Sequence, residues 1–207
     1  SLGVPTCGQR AEVHCPIHQV RDAGPVRALV HVQAWPSDPA PVLAISTLSS
    51  SLPLILASLA RPELRRRVEK VVLGGPGVNG LGREILERFP EVDVVVSGEG
   101  ELPLLQLMER FRSGRGAEGV PGTAVRTRSG VTGTPPPPRI DPLDQLPFPA
   151  YHKVDLAEYT ARTEWERIPL AVLSARGCPF RCTFCDIPGI WSAGVRYRSV
   201  ANVMAEV

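Results

Sequence analysis

The chain has 207 residues, a hydrophobic content of 43% and a formal net charge of +2 at pH 7. This length suffices for one domain or two small ones with a buried core, and so small a charge gives no reason to expect a nucleic-acid partner. No apolar run approaches the roughly 20 residues that span a bilayer, so we expect a cytoplasmic protein without a membrane partner. The 22 prolines and the aromatic content of 5% favour an α/β body with a long irregular connection.

The first 26 residues carry few structural signals. Residues 3–14 predict a helix, and residues 18–21 predict part of a short strand. Cys7 and Cys15 match no metal-binding spacing, so we interpret them as inert or buried cysteines. A clearer strand is predicted over residues 27–33, where apolar side chains recur.

A second strand, over residues 42–46, is followed by a hydroxyl-rich turn. Main-chain NH groups and hydroxyls in such a turn can bind a polar ligand. Ser51 is also predicted to cap the helix that begins at Pro53, because serine favours the N-cap and proline the first helical position. Both roles can hold at once. Pro62 begins another helical turn, and the charged residues over 63–69 predict a solvated face.

A strand over residues 70–74 leads into a glycine-rich loop and a helix over 81–89. Leu81, Ile85, Leu86 and Phe89 recur at helical spacing and predict a core face. Gly75, Gly77 and Gly80 also match the spacing of a dinucleotide fingerprint, with Glu99 about the expected distance onward. Against an NAD site, a βα unit already precedes this loop, whereas the fingerprint normally occupies the first unit.

The next elements complete the predicted domain. They are a strand over 92–96, a helix over 102–111 with Leu104, Leu105, Met108 and Phe111 inward, and a hairpin over 122–134. Four consecutive prolines, 135–138, open a semi-rigid connection, and residues 155–166 predict a short helix.

Three of the five cysteines, Cys178, Cys182 and Cys185, lie within eight residues, after an apolar run over 168–173 that predicts a strand. Three thiolates suit a metal centre with one open position, such as an iron–sulfur cluster. A structural zinc site needs a fourth ligand. The candidates for that ligand are Cys7, Cys15, His14, His18, His31 and His152. A disulfide is the remaining alternative, although reduced thiols fit a cytosolic chain better.

The C-x3-C-x2-C spacing, with Phe184 before the last cysteine, resembles the radical S-adenosylmethionine (SAM) superfamily. The resemblance implies that the three cysteines hold a [4Fe-4S] cluster whose fourth iron is chelated by SAM, and that the main chain around Phe184 contacts the adenine. The continuation from Asp186 to Trp191, and then from Arg196 to Ser199, is similar to the branch that carries a cobalamin-binding domain upstream.

Three predicted strand ends resemble that cobalamin-binding domain. They are residues 44–49, 72–76 and 92–101, the last containing Ser-Gly-Glu-Gly-Glu. The resemblance implies that Ser46, Thr47, Leu48 and Ser49 face the corrin and its tail, and that Gly74, Gly75, Pro76, Gly98, Glu99 and Gly100 shape the pocket of the nucleotide tail. No histidine lies in an Asp-x-His-x-x-Gly motif, so histidine ligation of cobalt is not expected.

The predicted fold is therefore α/β: a doubly wound, Rossmann-like cobalamin domain over residues 1–134, a proline-rich linker over 135–167, and the first βα unit of a radical SAM barrel over 168–207. Ser199 is predicted to cap the last helix, whose apolar stripe is Val200, Val203, Met204 and Val207. Because a complete barrel has about six βα units, we interpret the chain as a fragment of a longer enzyme.

The function implied by the resemblance is methyl transfer from SAM, through methylcobalamin, to an unactivated carbon or phosphorus of a biosynthetic substrate. Reductive cleavage of SAM gives a radical that removes a hydrogen atom from the substrate, which is a small molecule or peptide, and an external one-electron reductant is needed. Alternatives are ring closure or rearrangement with the same cofactors, a non-catalytic zinc module, and an NAD-binding domain.

Overall fold

The computed structural model describes residues 20–21, 29–30, 40–66, 68–151, 172–191 and 194–207. The predicted helices over 3–14 and 155–166 lie outside the described residues. So do Cys7, Cys15 and all four histidines, together with most of the predicted strand over 27–33 and the first part of the one over 168–173.

A five-stranded sheet forms the centre of the described chain. Strands β3 (Ala40–Ser46), β4 (Val68–Gly74) and β5 (Val94–Val96) are parallel neighbours. The hairpin of β6 (Thr123–Thr127) and β7 (Gly130–Gly133) then adds antiparallel to β5. The α/β, Rossmann-like class predicted from the sequence is confirmed, and so is the hairpin.

Helices connect the strands from β3 to β6. They are α1 (Leu52–Leu59) and α2 (Pro62–Arg65) between β3 and β4, α3 (Gly82–Arg88) between β4 and β5, and α4 (Glu101–Arg112) between β5 and β6. Because the inner strands are covered by helices, their side chains are apolar without alternation: Val71, Val72 and Leu73 are all buried.

Two helix faces differ from the sequence prediction. Leu81 was expected in the core but is 42% exposed, because it is the N-cap residue of α3 and lies before the helical face that Ile85 and Leu86 form. In α4 the fully buried residue is Leu107, which the predicted face omits, while Leu104, Met108 and Phe111 are only partly buried against the core around Val96 and Val125.

Arg126 on β6 closes the C-terminal end of α3. Its guanidinium donates to the carbonyl oxygens of Leu86 at 2.8 Å, Phe89 at 2.8 Å and Val92 at 2.7 Å. Carbonyls at the end of a helix lack partners within it, so a planar donor with several N–H groups stabilises this end.

The chain divides into two compact units. The first, called here the sheet unit, contains Asp38–Arg139 and Gly177–Val195. The second comprises the remaining residues, among which the two-residue strands β1 (Val20–Arg21) and β2 (Leu29–Val30) pair antiparallel. The predicted boundaries at residues 134 and 167 stay predictions.

The cysteine-rich part of the chain adds four elements. Strands β8 (Ala175–Cys178) and β9 (Gly194–Tyr197) form a two-stranded sheet, with helix α5 (Ile187–Trp191) between them and α6 (Val200–Glu206) after them. Of the strand expected over 168–173, the two described residues, Val172 and Leu173, are not in a strand, and Leu173 is exposed. Strand β8 begins at Ala175.

The two serine caps have different outcomes. Ser199 caps α6 as predicted, its hydroxyl accepting from the Asn202 amide at 3.1 Å. Ser51 occupies the N-cap of α1, but its hydroxyl does not cap the helix: it bonds the amide and carbonyl of Leu48, each at 3.1 Å. In the described part of the chain, no helix is long and apolar enough to cross a membrane.

Candidate functional site

The carboxyl ends of β3, β4 and β5 lie at one edge of the sheet, because the three strands are parallel and adjacent. The loops that follow them begin at Thr47, Gly75 and Ser97. In an open α/β sheet this edge is where ligands bind. We call it the strand-end edge.

Thr47 joins the first two of these loops. It is 1% exposed, and both its hydroxyl and its amide donate to the Gly74 carbonyl, at 2.9 and 2.8 Å. Its own carbonyl accepts from the Gly77 amide at 2.9 Å. The hydroxyl of Thr47, predicted from the resemblance to face a corrin, is therefore engaged within the protein.

The glycines of the second loop are required by this close packing. A Cβ at Gly75 would lie 2.6 Å from the Ser46 Oγ, and one at Gly77 would lie 2.6 Å from the Leu48 carbonyl. Real Cβ atoms do not approach other atoms so closely, so both positions require glycine without any ligand.

The same loop is poorly suited to a dinucleotide. A pyrophosphate site needs main-chain NH groups that point outward at the start of a helix. Here the amides of Gly77, Val78 and Asn79 donate to carbonyls within the chain, those of Thr47, Gly75 and Pro76. This weighs against the NAD alternative that the glycine spacing raised.

Part of the strand-end edge stays open. Leu48 is 59% exposed, and Ser46 and Ser49 are exposed beside it. On the third loop a Cβ at Gly100 would meet nothing within 4 Å. An exposed apolar side chain, hydroxyls and an open glycine fit a large ligand with an apolar ring face and a polar tail. The residues present therefore fit a cobalamin.

The other residues predicted to contact cobalamin differ in their exposure. Gly74 and Gly75 are half-buried and Pro76 is exposed at the start of a 3-10 turn, Pro76–Val78. Gly98 has a positive φ of 79°, and Glu99 is buried with a partner inside the protein. The structure brings these residues to one edge of the sheet, as the sequence predicted, but the hydroxyl of Thr47 and the faces of Gly75 and Gly77 do not open onto it.

The three motif cysteines lie on one short loop. Cys178 is the last residue of β8 and is half-buried, Cys182 is exposed, and Cys185 is half-buried, its amide bonding the Cys182 carbonyl at 3.1 Å. Phe184, between the last two, is 92% exposed. The loop therefore presents free thiols and an aromatic ring at the surface.

The three thiols match the ligand number of a four-iron cluster with one open iron and leave a zinc ion one ligand short. A [4Fe-4S] cluster takes one thiolate at each ligated iron, whereas structural zinc collects four ligands around one ion. Within the described ranges, no three His, Cys, Asp or Glu side chains are grouped so that they could hold a single metal ion. The candidates for a fourth zinc ligand all lie outside these ranges.

One contact joins the cysteine loop to the strand-end edge within the sheet unit. Asn79, at the end of the second loop, donates through Nδ2 to Oδ1 of Asp186 at 3.0 Å, and Asp186 directly follows Cys185. The two residues are 107 positions apart, and no spacing motif includes both of them, so no signal in the sequence pairs them.

The chain is similar to several curated proteins with enzyme names. It is 33% identical over 138 residues to an uncharacterized methyltransferase of Pyrococcus horikoshii, covering 66% of this chain and 29% of the relative. It is 35% identical over 118 residues to the cobalamin-dependent radical SAM methyltransferase TokK of Streptomyces tokunonensis, covering 56% and 17%. The anaerobic magnesium-protoporphyrin IX monomethyl ester cyclase of Cereibacter sphaeroides is 31% identical over 139 residues, covering 66% and 22%. No family model matches the chain.

Solved structures share the fold. The radical SAM methyltransferase TsrM of Kitasatospora setae, with cobalamin and a [4Fe-4S] cluster bound, superposes with a TM-score of 0.56 and 23% identity, covering 80% of this chain and 34% of that one. The cobalamin-dependent SAM radical enzyme OxsB gives a TM-score of 0.59 at 18% identity, covering 80% and 22%. The chain thus spans about a third or less of the proteins it matches, and the resemblance read from its motifs is confirmed.

Proposed function

Because this chain is related to the cobalamin-dependent radical SAM enzymes, we propose that it is part of an enzyme that methylates an unactivated carbon or phosphorus of a biosynthetic substrate. Methyltransferases are among its relatives, and one of them, from Streptomyces wedmorensis, is named as acting on a cytidylyl-2-hydroxyethylphosphonate. The substrate in this proposal is a small molecule or a peptide.

In this proposal each cofactor has its own residues. Cys178, Cys182 and Cys185 hold a [4Fe-4S] cluster, and the main chain around Phe184 receives SAM. The open part of the strand-end edge, formed by Ser46, Leu48, Ser49 and Gly100, receives cobalamin. When bound, these groups supply one-electron cleavage of SAM and a transferable methyl group. The protein orients them and excludes water.

The proposal rests on one observation: the strand-end edge and the cysteine loop lie close together in the sheet unit. The open strand-end edge lies on the same compact unit as the cysteine loop, and the bond between Asn79 and Asp186 joins them. Two cofactors that act on one substrate must be bound close together, because a reaction between separately held groups depends on their distance and orientation.

A second outcome for the same cofactors is ring closure. It is favoured by the magnesium-protoporphyrin IX monomethyl ester cyclases among the relatives, which are 28–31% identical to this chain. The cofactor sites of the two proposals are the same, so the product formed distinguishes them.

We also propose a cytoplasmic enzyme that depends on an external one-electron reductant. Free thiols on an exposed loop persist in a reducing compartment. Cleavage of SAM consumes an electron that none of the proposed protein ligands supplies.

The test is the cofactor content of protein purified without oxygen. Iron, sulfide, zinc and cobalt are measured in the chain and in Cys182→Ala, with absorption spectra before and after hydroxocobalamin is added. Thr183→Ala is the matched control, because Thr183 is an exposed neighbour in the same loop without a predicted ligand role.

About four iron and four sulfide per chain, lost in Cys182→Ala and kept in Thr183→Ala, together with retained cobalamin, are the expected result. About one zinc per chain, with no sulfide and no cobalamin uptake, would contradict the proposal and leave a structural metal module.

A further inference from the structure

The segment that follows Cys185 makes a side-chain contact with the glycine-rich loop. Asp186 accepts from Asn79 at 3.0 Å, and the Gly189 amide donates to the Asp186 carbonyl at 3.0 Å, forming the turn that leads into α5. Asn79 in turn is fixed by its own loop, because its amide bonds the Pro76 carbonyl at 3.3 Å and Val78 before it is fully buried.

Gly189 is shaped for this contact. A Cβ at this position would lie 2.7 Å from Nδ2 of Asn79 and 3.3 Å from Oδ1 of Asp186, so any larger residue would push the pair apart. Its φ is not in the left-handed region, so the need for glycine here arises from the neighbouring side chains and not from the backbone.

The third strand end also approaches this segment. A Cβ at Gly98, in the loop after β5, would lie 3.7 Å from the carbonyl oxygen of Ile190 in α5. The segment of residues 186–190 therefore contacts the loop after β4 and lies close to the loop after β5, where the nucleotide tail of cobalamin is proposed to bind.

We propose that Asn79 and Asp186 are a positioning pair: their bond sets where the cluster-binding loop lies relative to cobalamin on the strand-end edge. This inference rests on the function proposed above. A binding site must be held within a fraction of an ångström by contacts outside its own ligands, and the cysteine loop has Cys182 and Phe184 exposed at the surface. Neither residue contacts the reacting atoms in this proposal.

The chemistry of the pair allows a rescue experiment. An amide facing a carboxylate forms the same bond when the two groups are exchanged, so Asn79→Asp with Asp186→Asn should restore what Asn79→Asp alone removes. Asn79→Asp places two carboxylates against each other, and Asn79→Ala removes the donor without adding charge. Glu118→Gln, an exposed change elsewhere in the sheet unit, is the control.

The first measurement uses the chain without cofactors. Hydrogen exchange of the backbone amides over 182–191 is expected to be faster in Asn79→Ala by roughly threefold to tenfold, the range for losing one hydrogen bond of typical net strength. It should be at least as fast in Asn79→Asp and return to the wild-type rate in the exchanged double variant. Equal exchange in all of these variants would contradict the contact.

The second measurement uses the chain loaded with iron, sulfide and hydroxocobalamin and then reduced chemically, because the Co(III) of hydroxocobalamin gives no electron paramagnetic resonance signal and cob(II)alamin does. We expect the reduced cluster to broaden the cob(II)alamin signal in the wild type. Asn79→Asp should lose this broadening at unchanged iron and cobalt content, and the exchanged variant should recover it. Equal broadening in wild type and Asn79→Asp, or none in a fully loaded wild type, would overturn the positioning role alone. A wild type that takes up no iron or no cobalamin would overturn the proposed function, and the positioning role with it.

Discussion

Gly75 illustrates how a residue can match a ligand-binding motif for reasons internal to the protein. Its φ is +83°, a backbone conformation that residues with a Cβ rarely adopt. Atoms of Ser46 and Thr47 also occupy the space that a Cβ would need. The glycine is therefore explained by how the loop after β4 packs on the loop after β3. A dinucleotide is not needed to account for it.

Gly80 is the comparison for an alanine at Gly75. It has a similar φ of +72°, but a Cβ there would meet nothing within 4 Å. Gly80→Ala is expected to lower the free energy of unfolding by about 1–2 kcal/mol, from backbone strain alone. Gly75→Ala should cost about 1–3 kcal/mol more, because the added atom overlaps its neighbours and because the ψ of Gly75, 178°, belongs at positive φ to a conformation that essentially only glycine adopts. Denaturant unfolding of both variants checks the difference, and equal losses would mean that the loop relaxes around the new atom.

For single residues, the sequence predicted which residues lie at the strand-end edge. It did not predict which hydrogen bonds their side chains make. Thr47 was expected to face a ligand and Ser51 to cap a helix. Instead, the Thr47 hydroxyl bonds the carbonyl of Gly74 at the end of β4, and the Ser51 hydroxyl bonds the carbonyl of Leu48. A hydroxyl has several partners within reach, and the choice among them depends on the position of another segment, which spacing alone does not reveal.

Helix α6 is an element whose stability depends on a buried charge. Glu206, on its last turn, accepts from the Tyr151 hydroxyl at 2.6 Å and pairs with Arg198. Arg198 also bonds Asn202 through Nε at 2.6 Å and lies over the Phe148 ring. All these residues belong to the second unit.

These contacts move two pKa values apart. The hydrogen bond from Tyr151, with help from Arg198, lowers the pKa of Glu206 below its usual 4.5, although burial opposes this. The same hydrogen bond, with burial, raises the pKa of Tyr151 above its usual 10.0. The stabilisation from ionised Glu206 is therefore complete above pH 4.5 and is lost as the pH falls through the lowered value. The stabilisation from protonated Tyr151 is complete below pH 10.0, and it is lost as the pH rises through the raised pKa of Tyr151 in the folded protein.

Tyr151→Phe is expected to raise the pKa of Glu206, because it removes the largest cause of the lowered value. Titration of the Glu206 carboxyl carbon by NMR measures this, and the acid transition of α6 should move to higher pH in step. Tyr197→Phe is the control, since Tyr197 is largely exposed. An unchanged titration in Tyr151→Phe would show that Arg198 alone holds the carboxylate.

The elements themselves were largely predictable from the pattern of apolar residues. The strands ending at Ser46, Gly74 and Val96 end where the sequence indicated. The errors fall at helix ends and at the strand before the cysteines. Leu81 matches the helical spacing but precedes the helix, and Leu173 is apolar but precedes the strand. Apolar residues can continue beyond the end of a helix or strand. Whether such a residue is buried depends on the segment that packs against it, which the spacing of apolar residues does not show.

The order and direction of the strands in the sheet unit were predictable from the sequence, but the side-chain contacts between its segments were not. Alternating strands and helices predict parallel neighbours whose ends share one edge, and the sheet has that order from β3 to β5. The bond between Asn79 and Asp186 was not predictable, because an exposed pair leaves no apolar pattern in the sequence.

Cobalamin binding to the folded chain should be visible as added stability. A ligand that binds only the folded state raises the free energy of unfolding by about 2.7 kcal/mol when its concentration is 100 times its dissociation constant. Hydroxocobalamin is therefore expected to raise the unfolding midpoint of the chain. A substitution whose side chain fills the proposed cobalamin site should abolish the increase in the unfolding midpoint without unfolding the protein.

Gly100 and Gly116 provide the matched pair for that test. Neither has a positive φ, and a Cβ at either meets nothing within 4 Å, so both accept a side chain, but only Gly100 lies on the strand-end edge. Gly100→Phe is expected to unfold near the wild-type midpoint without ligand and to lose the rise with hydroxocobalamin, whereas Gly116→Phe keeps it. Thermal unfolding with and without the ligand measures both. If Gly100→Phe retained the full rise, cobalamin would have to bind away from the third loop, and the edge would lose its assigned role. Because the ligand-free midpoint reports folding separately, a loss of binding in Gly100→Phe can be traced to the filled space.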